Sequence, residues 1–360
     1  MSIGSNEPKS ISRRLTGAEL SDRTRGVGAP GKVVLLAAIL ALVLGAAATA
    51  LAASPSHNSG SAKGDSANNE DFAGLVDIDG GRQMYMECRG EGSPTVVLVS
   101  GFRGAYDDWT HVIDPGGEPK PSGSAVFPEV GKFTRVCAYD RPGTTRFDGA
   151  ISPSTPVKQP TTAQEGAADL HALLRAAKQK GPYVLVAHSW GGLNARFYAS
   201  TYPDEVSGLV LLDSGSEFLQ DTLTPAQWSS FVRGAKKLGD PETLEAADYR
   251  PSVRALRAAP PVGEIPAVVL SSDECFSFVP GFDAKQTCSA WREAQDLLAA
   301  HIDAKHITDT NSGHFIQGEN PKLVIGSVRK VVGAARKKAC ALGSTKHDKC
   351  DKWALNSRGS

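Results

Sequence analysis

The chain has 360 residues, 41% of them hydrophobic, enough for a sizeable core in one large domain or two small ones. Its 39 Lys and Arg balance 39 Asp and Glu, and a formal charge of zero gives no ground for a nucleic-acid partner. No internal repeat is present, and no C-x-x-C or His/Cys cluster stands at ligand spacing, so the sequence offers no metal set.

Residues 1–32 are polar and basic and read as a cytoplasmic tail. Residues 33–53, VVLLAAILALVLGAAATALAA, carry no charge. About 20 such residues cross a bilayer as a helix. Arg13, Arg14, Arg23, Arg25 and Lys32 precede them, which favours a cytoplasmic N-terminus. The segment is expected either to stay as a single-pass signal anchor or to be cut near Ala50-Leu51-Ala52 or Ala52-Ala53-Ser54. The long leader before it favours retention, with the rest of the chain extracytoplasmic; cleavage would release a secreted protein. Residues 54–70 form a small-residue linker.

All six cysteines, Cys88, Cys137, Cys275, Cys288, Cys340 and Cys350, follow the apolar segment. An even count in an exported portion reads as disulfides. Six cysteines allow fifteen connectivities. Pairing of sequence neighbours is the working expectation, with buried free thiols the alternative for Cys88 and Cys137.

From residue 71 strands and helices alternate. Leu75–Asp79 and Arg82–Arg89 read as a hairpin across Gly80 and Gly81. Pro94–Ser100 is a continuous apolar run, hence a buried strand, and Arg135–Tyr139 is another. The turn after the first of these, Ser100-Gly-Phe-Arg-Gly104, can aim the Phe102 amide at a developing oxyanion; Arg103 beside it is a candidate substrate contact. Thr162 and Glu165 make a capping box for a helix over Ala163–Lys178. Tyr183 to Ala187 is a short buried strand that breaks at Ser189, flanked by Ala187 and Gly191, before a helix from Leu193 to Tyr202. Strand, sharp turn and helix are the context in which a G-x-S-x-G-like elbow exposes a serine hydroxyl, and Trp190 then supplies the second oxyanion amide. His188 adjoins the serine, but the strand turns its side chain to the other side of the backbone.

Ser207–Leu212 is a further buried strand ending at Asp213. Residues 214–265 carry helical patches and Pro260-Pro261 but no strand pattern, and read as a helical cap. Ala267–Leu270 and Lys305–Thr308 are the last strands. Ser312-Gly313-His314 follows, and Pro321–Lys338 closes as an amphipathic helix; residues 339–360 form a basic tail with the last two cysteines. Serine hydroxyls are weak nucleophiles until an imidazole takes the proton. His314 is the best placed of the eight histidines for that role; His111, His171, His301 and His306 lie in helix or strand patterns and suit surface roles.

The order strand–SGF, YDRPG, AHSWGG, LVLLD and SGHFIQGENP resembles the α/β-hydrolase superfamily, serine-hydrolase branch, over roughly residues 75–338. The resemblance implies an eight-stranded, mostly parallel sheet with helices on both faces and a cap inserted at about 214–265, within a domain spanning residues 71–338. It implies Ser189 as nucleophile, His314 as base, and an esterase-like enzyme that needs no cofactor and takes a small acyl substrate; residues 33–53 and the cysteines add the expectation that it is exported and membrane-anchored. Its second and fourth strands would be neighbours, which makes Cys88–Cys137 geometrically reasonable. Asp140 matches a structural position. The acid stays open. In many members it follows the strand matching Ala267–Leu270, but there a G-D-x-D pattern sets Asp273 on the first aspartate and Cys275 on the second. Asp213, at a position used by dehalogenases, is the rival, narrowly ahead of Asp273 and Glu274. A serine nucleophile argues against dehalogenase or epoxide-hydrolase chemistry. A non-catalytic envelope binding protein, or an acyltransferase or peptidase with the same triad, would fit the same fold.

Overall fold

The computed structural model describes residues 70–239, 241–343 and 350, all in one compact unit. The tail at 1–32, the apolar segment at 33–53, most of the linker and most of the C-terminal tail lie outside the described residues. Among the described residues no helix is long and apolar enough to cross a membrane.

Eight strands form one sheet: β1 Phe72–Ile78, β2 Arg82–Arg89, β3 Thr95–Val99, β4 Val136–Tyr139, β5 Tyr183–His188, β6 Val206–Leu212, β7 Ala267–Leu270 and β8 Lys305–Ile307. Their spatial order is β1-β2-β4-β3-β5-β6-β7-β8. The β1–β2 and β2–β4 pairs are antiparallel, and every later pair is parallel. β3, β4 and β5 are buried at every position, as strands covered on both faces must be, so they read as apolar runs rather than alternations. β1 alternates instead, because it is the edge of the sheet.

One face is covered by α2 (Ala163–Ala176), α3 (Trp190–Thr201) and α7 (Ala284–His301), through Leu170, Leu173, Leu174, Tyr198 and Leu298. The other is covered by α1 (Val126–Val130) and α9 (Pro321–Ala341), through Phe127, Val324, Val328 and Val331. The capping box that starts α2 is complete: Glu165 N–H donates to Thr162 Oγ1 at 3.3 Å and Thr162 N–H to Glu165 Oε2 at 2.7 Å.

Two parts depart from the sequence reading. α7 was absent from it, because its inward stripe includes Thr287 and Gln295, both fully buried, which breaks the apolar periodicity. Gln295 donates from Nε2 to Ser214 O at 2.6 Å, while its Oε1 has no hydrogen-bond partner among the described residues. Between β3 and β4 the chain makes a turn at Tyr106–Trp109, a two-residue ribbon of His111–Val112 with Lys120–Pro121, and α1. These elements are too short to leave a period in the sequence.

The segment between β6 and β7 carries α4 (Leu219–Thr222), α5 (Pro225–Ala235) and α6 (Tyr249–Ala258) and no strand. Trp228, Phe231, Tyr249, Val253 and Leu256 make its own apolar cluster with Trp190 and Leu193 of α3. Arg196 of α3 pairs with buried Glu217 in that segment. Burial alone would raise the Glu217 carboxyl, but the Arg196 hydrogen bonds and charge outweigh it and hold it below the usual carboxylate range.

The disulfides join Cys88–Cys137, Cys275–Cys288 and Cys340–Cys350. Cys88 and Cys137 stand directly opposite each other on β2 and β4, with Cα atoms 4.1 Å apart. Replacing both by alanine is expected to lower unfolding free energy by about 2–4 kcal/mol in urea titration, because the bridge restricts the unfolded chain. An unchanged midpoint would show that strand pairing alone holds this edge.

Candidate active site

β5 ends at His188, and Ser189 turns the chain with φ 50° and ψ −121°. A non-glycine residue held there costs about 1–3 kcal/mol and persists only where its surroundings enforce it. They do so here: Ser189 N–H donates to Leu212 O at 3.1 Å, while Ser189 O accepts from Gly192 N–H and Gly215 N–H, both at 2.9 Å. The turn presses α3 against β3 so closely that a Cβ on Gly191 would lie 2.4 Å from Ser100 O. Four of the six non-glycine residues with positive φ among the described residues sit in the loops of this site: Arg103, Ser189, Asp213 and Asn311. Strain concentrated in this way marks a functional region.

The structure brings Ser189, His314 and Asp213 together. Ser189 Oγ lies 3.0 Å from His314 Nε2, and His314 Nδ1 donates to Asp213 Oδ2 at 2.7 Å. Asp213 is fully buried. It also accepts from Ser272 N–H and Ser272 Oγ, each at 3.0 Å, and from Trp291 Nε1 at 2.8 Å. Four donors converging on one carboxylate fix its orientation behind the imidazole.

Asp273 makes no hydrogen bond to His314 among the described residues. Its carboxylate points at the histidine loop and accepts from Asn311 N–H at 2.9 Å and Ser312 N–H at 2.8 Å. Partial burial would push it up, but these backbone donors win and hold it below its ordinary range. Its work is to shape the loop that presents His314. Glu274 makes no hydrogen bond to His314 either; the Nδ1 position is already taken by Asp213. Cys275, on the second aspartate's slot of the G-D-x-D pattern, is in a disulfide with Cys288 of α7.

His188 is buried and donates from Nε2 to His314 O at 2.8 Å, with Gln317 Nε2 3.3 Å from its Nδ1. Burial, then the nearby His314, keep it well below the ordinary histidine range, hence neutral. It steadies the loop rather than taking the serine's proton. Phe276 stacks on the His314 ring at 4.1 Å and 18°, and Phe278 and Trp291 close behind it. None of these aromatic supports was singled out from sequence; the aromatics Phe276, Phe278, Phe282 and Trp291 in the loop and helix after β7 were the available sign.

The Ser100–Gly104 turn lies against the elbow, with Gly104 N–H donating to Gly101 O at 3.1 Å. Trp190 N–H, at the first position of α3, has no intrahelical acceptor. The Trp190 side chain is buried against Tyr249, with ring centroids 4.7 Å apart, whereas Phe102 is 36% exposed. Arg103, expected as a substrate contact, turns elsewhere: its Nε donates to Glu245 O at 3.0 Å and its Nη2 reaches Lys237 O at 3.5 Å. Both carbonyls belong to the 214–265 segment.

A second Ser–His–Asp run exists beyond β7. Ser271 Oγ lies 2.6 Å from His306 Nε2, and His306 Nδ1 lies 3.1 Å from Asp296 Oδ1. These residues line a groove of about 320 Å³. The amide that would serve an oxyanion there, Ser272 N–H, is committed to Asp213, and Ser271 N–H donates to Ile307 O at 2.9 Å. Neither of these two amides is free to meet an oxyanion, in contrast to the Trp190 N–H beside Ser189.

Asp108, beneath the Ser100–Gly104 turn, is buried and its Oδ2 has no hydrogen-bond partner among the described residues. Burial, then the charge of Asp107, push its carboxyl up to about 8, with Asp140 and Glu245 adding to the rise and Arg141 opposing it. The folded protein thus keeps a proton that the unfolded chain gives up near pH 4. Stability falls as pH rises from about 4 to about 8 and stays lower above that. Asp108→Asn is expected to flatten this slope, gaining over the parent at pH 9 and not at pH 4 in urea titrations. Parallel curves would show that Asp108 ionises freely.

A family profile described as alpha/beta hydrolase fold matches residues 94–238. "Uncharacterized protein YqjL" of Bacillus subtilis (strain 168) is 27% identical over 269 residues, covering 74% of this chain and 94% of that protein. "Uncharacterized protein C23C11.06c" of Schizosaccharomyces pombe is 30% identical over 174 residues, 43% of this chain, and the match spans only 31% of that protein's length. Among solved structures, one described as "Est816 as an N-Acyl homoserine lactone degrading enzyme" aligns with a TM-score of 0.48 and 20% identity, covering 72% of this chain and 100% of that one.

Proposed function

The chain has the α/β-hydrolase fold, and we propose that on it Ser189 hydrolyses a carboxyl ester or related acyl bond through an acyl-enzyme. The observation that carries this reading is the continuous relay, 3.0 Å from Ser189 Oγ to His314 Nε2 and 2.7 Å from His314 Nδ1 to Asp213. His314 takes the hydroxyl proton as Ser189 attacks the carbonyl carbon, and Asp213 holds the imidazole in the required tautomer and stabilises the imidazolium. Negative charge on the carbonyl oxygen is received by the Phe102 and Trp190 amides, donors of a kind worth about 10²–10³ in rate each. His314 then returns the proton to the leaving alcohol, and a water activated by the same imidazole releases the acid. A non-catalytic scaffold would have no use for a strained Ser189 or for a carboxylate gripped by four donors.

The enzyme is proposed to work outside the cytoplasm, tethered through residues 33–53. The charge-free 21-residue run and six cysteines all in disulfides support that placement. The test is activity-based labelling. A fluorophosphonate should modify the protein at Ser189, found by peptide mass, and short p-nitrophenyl esters should be hydrolysed. No adduct on the folded, oxidised protein would end this reading; an adduct on Ser271 would move the chemistry to the second run.

A further inference from the structure

We propose that Arg141 and Glu245 are positioning residues, a buried ion pair that sets the Phe102 amide for oxyanion binding and makes the 214–265 segment part of the hydrolytic machinery. This inference rests on the serine-hydrolase reading. Arg141 follows β4 and is 5% exposed; Glu245 lies between α5 and α6 and is 1% exposed. Arg141 Nε donates to Glu245 Oε1 at 2.6 Å and Nη2 to Glu245 Oε2 at 3.1 Å. The same guanidinium donates from Nη1 to Ser100 O at 2.8 Å and from Nη2 to Gly101 O at 2.6 Å.

The Gly101 carbonyl and the Phe102 N–H belong to one peptide unit. In a trans peptide these two groups point in opposite directions. A carbonyl held by Arg141 therefore aims the Phe102 N–H the other way. The next peptide unit is held too, because Arg103 N–H donates to Glu245 Oε2 at 2.6 Å. Both peptide planes flanking Phe102 are thus fixed by the two members of one ion pair.

Glu245 is itself tied down. Its N–H donates to Gly143 O at 2.8 Å, and its own carbonyl accepts from Arg103 Nε. Gly143 has φ 80°, and a Cβ there would lie 2.2 Å from Thr243 O, so this turn and the cap strand of chain approach too closely for any side chain. A buried ion pair is a poor device for stability, since apolar residues of similar volume often serve as well. One that uses its remaining donors and acceptors on the two peptides of an oxyanion turn is explained by orientation.

The experiment compares Glu245→Gln, Glu245→Asp and the charge-free pair Arg141→Met with Glu245→Met against the parent and Ser189→Ala. Rates are expressed per Ser189 titrated with fluorophosphonate, which counts folded sites. In the Gln and double variants kcat on a short p-nitrophenyl ester should fall about 10–100-fold, less than the loss of an oxyanion donor outright. KM should stay within about twofold, as befits an interaction made in the transition state. Affinity for a trifluoromethyl ketone, whose adduct carries an oxyanion, should fall in parallel, and Glu245→Asp should recover part of both. Per-site kcat and ketone affinity unchanged in the double variant, or activity lost only in proportion to titratable sites, would overturn the proposal. A Ser189→Ala protein as active as the parent would instead overturn the reading beneath it.

Discussion

Ser189→Ala is expected to lower kcat for a short p-nitrophenyl ester by about a millionfold, the scale seen when one member of a serine relay is removed. The three side chains act as a unit, so deleting the nucleophile leaves only the oxyanion donors and binding, worth about 10³–10⁴ over water. KM should barely move, because the hydroxyl contributes to bond making rather than to holding the substrate. The fold should survive: alanine keeps the Cβ and the Ser189 hydrogen bonds to Leu212, Gly192 and Gly215 are all made by backbone. Steady-state kinetics with thermal melts checks both halves. A variant that keeps a tenth of the parent rate would remove Ser189 from the chemistry.

Asp213→Asn is expected to cost about 10⁴ in kcat. The carboxylate accepts four hydrogen bonds, from His314 Nδ1, Ser272 N–H, Ser272 Oγ and Trp291 Nε1. An amide in this fully buried place must set its NH₂ against at least one donor. Turned towards His314, it would force the proton onto Nε2 and deny Ser189 its base. Asp273→Asn offers the contrast. That residue accepts two backbone N–H groups of the histidine loop, and one amide oxygen can keep part of the arrangement. A loss of about tenfold is expected there, by loosening of His314. If the two effects came out reversed, the acid would have to be reassigned to the loop after β7.

Much of this could be read before any coordinates, and the reason is physical. β3, β4 and β5 are covered on both faces, so each is an apolar run that cannot be mistaken for a surface segment. The elbow around Ser189 demands small residues where backbones meet, and Gly191 carries that demand in its identity. α7 hid because the polar Thr287 and Gln295 face inward and interrupt its apolar stripe. The choice of acid was open for another reason. Asp213 and Asp273 both cap strand ends next to serines, and what separates them is which donors reach them: side chains of Trp291 and His314 for one, loop amides for the other. Those donors arrive from residues up to 101 positions away. Arg103 was expected as a ligand contact for its charge beside the turn; its side chain meets the Glu245 and Lys237 carbonyls, partners more than a hundred positions away that its residue type cannot show.

The carboxylate that meets His314 follows the strand next to the one that ends at Ser189, so the stretch past Asp273 supplies no acceptor to the imidazole. Phe276 and Phe278 occupy it, fastened to α7 by the Cys275–Cys288 bridge and resting on the imidazole and on Trp291. The bridge thus anchors to α7 the aromatic pair that backs the His314 ring, so reducing Cys275–Cys288 would slacken that backing while the Asp213–His314 hydrogen bond keeps its partners on other segments.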